Sequence, residues 1–428
     1  MNDRMQAHAL LLLDLIAVER PIDASRFDAL DDTAWNEVLR MARQHRLEPL
    51  LGQRLEKDPG CFPRLIADRM GERRRAQALA GLRAAAELER LRTLFLEAGI
   101  PFAALKGAYL GRAAYPRPEL RPLRDIDILV PRDRAVEAWR LLESKGYSQI
   151  EQSQGSPESA LDFLHQMPPA RSPATGMAVE VHFRLFHDRD RGEGYEPSED
   201  PLFWDRLVRL GEPGREIAYP SPTDTLLHLI EHAAYGHAFD NGPLLLSDIA
   251  WLIRSGGVDW SLFWSLADRA HCRHGALLSF ALTRRYWPDV DIAEPDYGPD
   301  SSSVPVALVD ATGIIMLQDS SRRKDLKLSL QARLRRRSGN LPAFLLGRLF
   351  PSRLEMANMY PVDPASPRMP LFYARRLWEI GTRRRPGLIG QRLDRTNGSV
   401  EHIDGAIVDH MLAVHDWLEQ HDAATAVH

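Results

Sequence analysis

The chain has 428 residues, 44% of them apolar, 8% aromatic and 27% charged, with a formal net charge of -4 and a mean hydropathy of -0.32. That length leaves room for two or three domains, and the composition excludes disorder as the dominant state. Two cysteines, Cys61 and Cys272, cannot build a disulfide framework or a four-thiolate zinc site, so a reduced, cytoplasmic setting is expected.

Residues 1–95 read as a helical N-terminal subdomain. The apolar run at 10–18 is interrupted by Asp14 and precedes no small-residue cleavage site, so it is expected to open a helix rather than serve as a signal peptide. Asp32 and Thr33 are expected to cap a segment reaching Gln53, and 72–97 carries Ala, Leu and Arg at helical spacing. Residues 96–190 read as a small α/β core. It comprises a strand over 100–105, Lys106-Gly107, a helical stretch over 108–115, a strand over 126–130, a helix over 134–145 with Asp133 as cap, and an alternating strand over 177–186. A Ser/Gln/Gly/Pro-rich loop crosses 151–158. Residues 191–290 return to helix, entered at Ser221-Pro222-Thr223-Asp224 and continuing over 225–238, 244–254, 260–270 and 275–287. After a Pro/Asp/Ser-rich linker over 288–305, residues 291–428 form a helical, basic C-terminal region. The expected class is α+β, a small mixed-sheet core flanked by helical subdomains, with no stretch of about 20 apolar residues to span a membrane.

Five of the 55 basic residues are lysines and 50 are arginines, so arginine clusters carry little information and Lys106 carries more. Over 321–385, 16 Lys and Arg face four acids, a local +12 against -16 elsewhere. Leucines and aromatics recur through that stretch as helix packing requires, so a solvated face is expected in preference to an RNA or membrane surface.

The chemistry concentrates in the α/β core. Strand side chains alternate, so Asp125 and Asp127 share one face while Ile126 and Ile128 take the other. On the 177–183 strand, Glu180 and His182 lie opposite Val179 and Val181. An acid in an apolar strand is costly without a cation, and three converging carboxylates are most simply relieved by a divalent ion. All-oxygen ligation favours Mg²⁺ or Mn²⁺ over zinc. Gly107 lets backbone N–H groups at a helix start approach a nucleoside triphosphate (NTP), Lys106 adds a point charge, and Arg121 and Arg124 are placed to meet phosphate or screen the acids. His182 is expected beside the acids, in support of them or in contact with the nucleotide. His228-Leu229-Ile230-Glu231-His232 spells a zinc-protease motif with no third ligand in view. It is expected to present a polar helix face, His232 included, to the nucleotide or acceptor.

At these residues the chain resembles the nucleotidyltransferase superfamily of DNA polymerase beta, and more closely a bacterial family of uncharacterised nucleotidyltransferases often encoded beside biosynthetic genes. The resemblance rests on Leu105-Lys106-Gly107, Tyr115, the run from Arg121 through Val130, Gly146-Tyr147 and Val179-Glu180-Val181-His182. It extends more weakly through His228, His232, 248–252 and 349–352. It implies Asp125, Asp127 and Glu180 as catalytic metal ligands and Gly107 at the nucleotide turn. Ala108 stands where the superfamily has Ser or Gly and brings no hydroxyl, which leaves the phosphate grip to Lys106. The expected activity is transfer of a nucleoside monophosphate (NMP) from an NTP to a hydroxyl or phosphate. The acceptor is expected to be a small molecule, peptide or sugar rather than RNA. Two alternatives share these residues: a non-catalytic nucleotide- or polyanion-binding regulator, and a toxin-like enzyme acting on tRNA.

Overall fold

The computed structural model describes residues 3–27, 30–150, 157–186, 195–293, 304–340, 346–360, 362, 364–383 and 398–425. Most of the loop at 151–158 and of the linker at 288–305 lies outside them.

Four helices open the chain: α1 (Asp3–Ile16), α2 (Asp32–Gln44), α3 (Glu48–Lys57) and α4 (Arg64–Glu97). The apolar run of α1 is buried from Leu11 to Leu13 and at Leu15 and Ile16. Fully buried Arg54 of α3 ties off the end of α1, donating to Leu15 O at 3.1 Å and Arg20 O at 3.0 Å and pairing with Asp58 at 2.6 Å. Helix-terminal carbonyls that lack intrahelical partners are thereby satisfied. Asp31, rather than Asp32 or Thr33, caps α2 by accepting from Ala34 N at 2.8 Å. The single helix expected to reach Gln53 is broken at residues 45–47, where Arg46 takes a φ of +62° and Pro49 fixes the start of α3. Helix α4 begins earlier than its periodicity suggested and runs for 34 residues.

The sheet has five strands: β1 (Ala103–Ala104), β2 (Asp125–Leu129), β3 (Ser148–Gln149), β4 (Ala170–Arg171) and β5 (Ala178–His182), in the order β1-β2-β5-β4-β3. β2 and β5 run parallel, and the other pairs are antiparallel. β3 and β4 are two residues each, too short for an alternation pattern to reveal them. After β1 come the one-turn helix α5 (Gly107–Tyr109) and a π-helical turn, Leu110–Ala114. Helix α6 (Ala135–Ser144) follows a tight turn at Arg132–Arg134, so Asp133 lies inside that turn and does not cap the helix. One cluster packs Ala138, Trp139 and Leu142 of α6 and Leu91 and Phe95 of α4 against Ile126, Ile128, Val179 and Val181. This burial fixes the sheet's apolar face and turns the acids of β2 and β5 the other way. Buried Glu87 of α4 accepts from Tyr147 Oη, from Ser172 Oγ at 2.7 Å and from Thr175 Oγ1 at 2.7 Å, docking the helix to the sheet's far edge.

Then follow α7 (Pro157–Phe163), α8 (Pro201–Asp205) and a hairpin of β6 (Val208–Leu210) and β7 (Ile217–Tyr219). Ser221 caps α9 (Pro222–Glu231) by accepting from Asp224 N at 3.1 Å, and α9 runs into a π-helical turn, His232–Gly236. The remaining helices begin with α10 (Leu244–Ser255), α11 (Trp260–Arg269), α12 (Arg273–Tyr286), α13 (Val306–Met316) and α14 (Arg323–Arg337). Helices Arg353–Met359, Met369–Arg383 and Gly398–Thr425 complete the described chain. A large core joins α1–α3, the turn after β1 and α9–α14 to the Gly398–Thr425 helix. Two arginines of basic α14 face that helix, Arg333 pairing with Asp409 and Arg337 with Asp416 at 2.6 Å. No helix among the described residues is long and apolar enough to cross a membrane.

Candidate active site

Parallel pairing of β2 with β5 sets Asp127 directly opposite Glu180, and Asp125 opposite Ala178. Asp127, Glu180 and His182 offer ligand atoms that all lie within 4.8 Å of one another. Among the described residues no other group of three or more His, Cys, Asp or Glu is so arranged. His182 Nε2 lies 2.9 Å from Asp127 Oδ1 and 3.7 Å from Glu180 Oε2. A carboxylate can only accept, so Nε2 carries the proton and holds Asp127 in place. His182 is fully buried, which pushes its pKa down and keeps the ring neutral.

Lys106 is the site's cation. Its Nζ lies 3.6 Å from Asp127 Oδ1, and its backbone takes a φ of +46°. Such a conformation is strained for a residue with a side chain, and here it turns the ammonium toward the acids at the start of α5. Lys106 and His182 together hold the Asp127 carboxyl far below the usual range despite its burial. Glu180 responds in the opposite sense. Burial and repulsion from Asp127 and Asp125 push its carboxyl up to about 7. Asp125 is also raised, by burial and then by Asp127. Carboxylates crowded enough for one of them, Glu180, to retain its proton near neutrality are a donor set suited to a cation.

Gly107 is required by close approach. A Cβ there would lie 2.3 Å from Leu123 Cδ2 and 3.2 Å from Arg121 Nη1. Arg121 lies within electrostatic range of Asp125 but is bonded to another carboxylate. Its guanidinium makes a two-pronged buried pair with Asp248 of α10, Nε to Oδ1 at 2.6 Å and Nη2 to Oδ2 at 2.9 Å, and Tyr115 Oη donates to the same carboxylate at 2.7 Å. These bonds clamp the loop before β2 to the helices beyond the sheet. Arg124 is exposed beside Asp125. His232 packs edge-on against His237 at 4.5 Å between ring centroids, whereas His228 is the histidine of α9 whose charge would reach Asp127.

Sequence reasoning missed Arg46. It lies in the break between α2 and α3, within electrostatic range of Arg121, Arg124 and Asp125, and burial with those two arginines pushes its pKa down to about 10. Nothing local marks it, because in a chain with 50 arginines one more carries no signal. Arg323 of α14 is likewise pressed down by burial, with Asp240 acting in the opposite sense and Arg124 in the same one.

No curated protein matches the chain. Residues 31–288, which contain the sheet, the acids and the Arg121–Asp248 clamp, match the family described as uncharacterised nucleotidyltransferase, and the chain belongs to that family.

Proposed function

We propose that this protein is a cytoplasmic, Mg²⁺- or Mn²⁺-dependent enzyme that moves an NMP from an NTP to a hydroxyl or phosphate of an acceptor and releases pyrophosphate. The observation that carries the reading is the opposition of Asp127 and Glu180 on parallel strands, with Asp125 two residues away and His182 bonded to Asp127. Asp127, Glu180 and Asp125 would hold the metal. When bound, it neutralises the crowded acids and the phosphates and lowers the pKa of the attacking hydroxyl.

The chain's own groups supply the rest. The N–H groups at the start of α5 and the Lys106 ammonium receive the phosphates, and Arg46 and Arg124, beside Asp125, add positive charge. His182 keeps Asp127 oriented. The acceptor oxygen bonds to the α-phosphorus as the bond to the leaving pyrophosphate breaks, and the acceptor proton passes to solvent. A small molecule, peptide or sugar is favoured over RNA because Arg333 and Arg337 of the basic helix are engaged by acids of the chain itself.

The test is incubation with each NTP, Mg²⁺ or Mn²⁺ and pools of small molecules, peptides, sugars and RNA. Released pyrophosphate and an added NMP mass on one acceptor are followed together. Asp127→Asn is expected to lower the rate by about a thousandfold or more, as loss of a group that stabilises transition-state charge does. Pyrophosphate release that persists unchanged in that variant would refute the assignment.

A further inference from the structure

We propose, resting on the functional reading above, that Asp248 of α10 is a positioning residue for the nucleotide turn. By gripping Arg121 and Tyr115 together, it fixes the backbone of Lys106 and Gly107 in the conformation that receives the phosphates.

The clamp and the turn are in direct contact. Arg121 Nη1 lies 3.2 Å, and Leu123 Cδ2 2.3 Å, from where a Cβ of Gly107 would stand, so the loop over 118–123 presses on the backbone of the turn. The same loop backs Gly111, where Pro118 O and Arg121 Cβ would lie 3.5 and 3.7 Å from an added Cβ. Two glycines about one helical turn apart thus leave no side chain between this loop and the segment 107–114. Asp248 sets where the loop lies. Its carboxylate takes both prongs of the Arg121 guanidinium and the Tyr115 hydroxyl, and Tyr115 closes the π-helical turn that follows α5. One carboxylate therefore holds the segment at its far end directly and at its near end through Arg121. The side chains of Asp248 and Arg121 are 4% and 9% exposed, so these bonds are shielded from water.

What lies between the anchors is a strained residue. Lys106 has a φ of +46°, which a residue with a side chain keeps only where its surroundings over-determine it. The residue before it is pinned to β2, Leu105 N donating to Asp127 O at 2.9 Å, and the residue after it is backed by the clamp. Held from both sides, the strained backbone carries Lys106 Nζ to 3.6 Å from Asp127 Oδ1. Loosening the clamp lets the turn relax and takes the ammonium from the acids.

The native chain is compared with Asp248→Asn, Tyr115→Phe and the double variant Arg121→Met with Asp248→Leu. The readouts are urea unfolding, calorimetry with each NTP and Mg²⁺, and amide hydrogen exchange followed by mass spectrometry. Asp248→Asn is expected to weaken NTP binding about tenfold and to speed exchange over 106–112 about tenfold, with exchange on α6 changed far less. Tyr115→Phe keeps the Arg121 pair and is expected to weaken NTP binding about threefold. The double variant removes the buried charges, so it is expected to regain most of the stability while NTP affinity stays about tenfold down. A purely structural clamp would not give that split. NTP affinity that returns with stability in the double variant, or unaltered exchange over 106–112 in folded Asp248→Asn, would overturn the proposal. A native chain that binds no NTP would instead refute the functional reading, and exchange over 106–112 would still decide whether Asp248 holds the turn.

Discussion

Replacing Glu180 by glutamine tests the electrostatic account of the site. Folding moves this carboxyl from an ordinary 4.5 to about 7, because it is buried beside Asp127 and Asp125. The native state therefore binds the proton more tightly than the unfolded chain does. Stability from this group is fully present below pH 4.5 and is lost as pH rises to about 7. A displacement of that size corresponds to about 3 kcal/mol at pH 8. Glutamine has no proton to lose, so the variant should gain up to about 3 kcal/mol over the native chain between pH 4.5 and pH 8, relative to their difference at pH 4.5. Buried His45, whose pKa is depressed, tilts both proteins' profiles the other way, and that tilt cancels in the difference. The assay is urea unfolding of both proteins across this range with divalent ions chelated. Saturating Mg²⁺ at pH 8 should then stabilise the native chain more than the variant, since it relieves the same repulsion. Parallel stability profiles for the two proteins would refute the reasoning.

Arg121→Gln should destabilise the fold by about 3–5 kcal/mol in urea unfolding, because it strands the buried Asp248 carboxylate, whereas Arg121→Met with Asp248→Leu should cost clearly less. Gly107→Ala forces its Cβ into Leu123 and should cost about 1–3 kcal/mol, much of it recovered by adding Leu123→Ala; thermal unfolding of the single and double variants checks this. Lys106→Ala should weaken NTP binding by about tenfold in calorimetry, and unchanged affinity would confine Lys106 to balancing Asp127. Replacing Arg335, Arg336 and Arg337 with glutamine should leave any RNA binding weak and unaltered, read as filter binding against salt concentration; a steep salt-dependent loss would reassign the basic helix.

The parts of the site that depend on local periodicity were legible in the amino-acid order. Asp125 and Asp127 share a face because strand side chains alternate, and Glu180 and His182 oppose Val179 and Val181 for the same reason. The start of α9 at Ser221 was equally legible, since a serine cap acts within one turn. The two-residue strands β3 and β4 were not, because they are shorter than the pattern that would announce them. Which charges meet depends on how distant segments pack. Packing brings Asp248 onto Arg121 across 127 residues and makes the pair a buried clamp. It also breaks the helix at Arg46 and carries that arginine to the acids. Register between β2 and β5 placed Asp127 opposite Glu180 rather than a residue to either side. Ion pairs and strand register between distant segments have no local signature, because the chain's path sets them and each arginine looks like every other until it is buried.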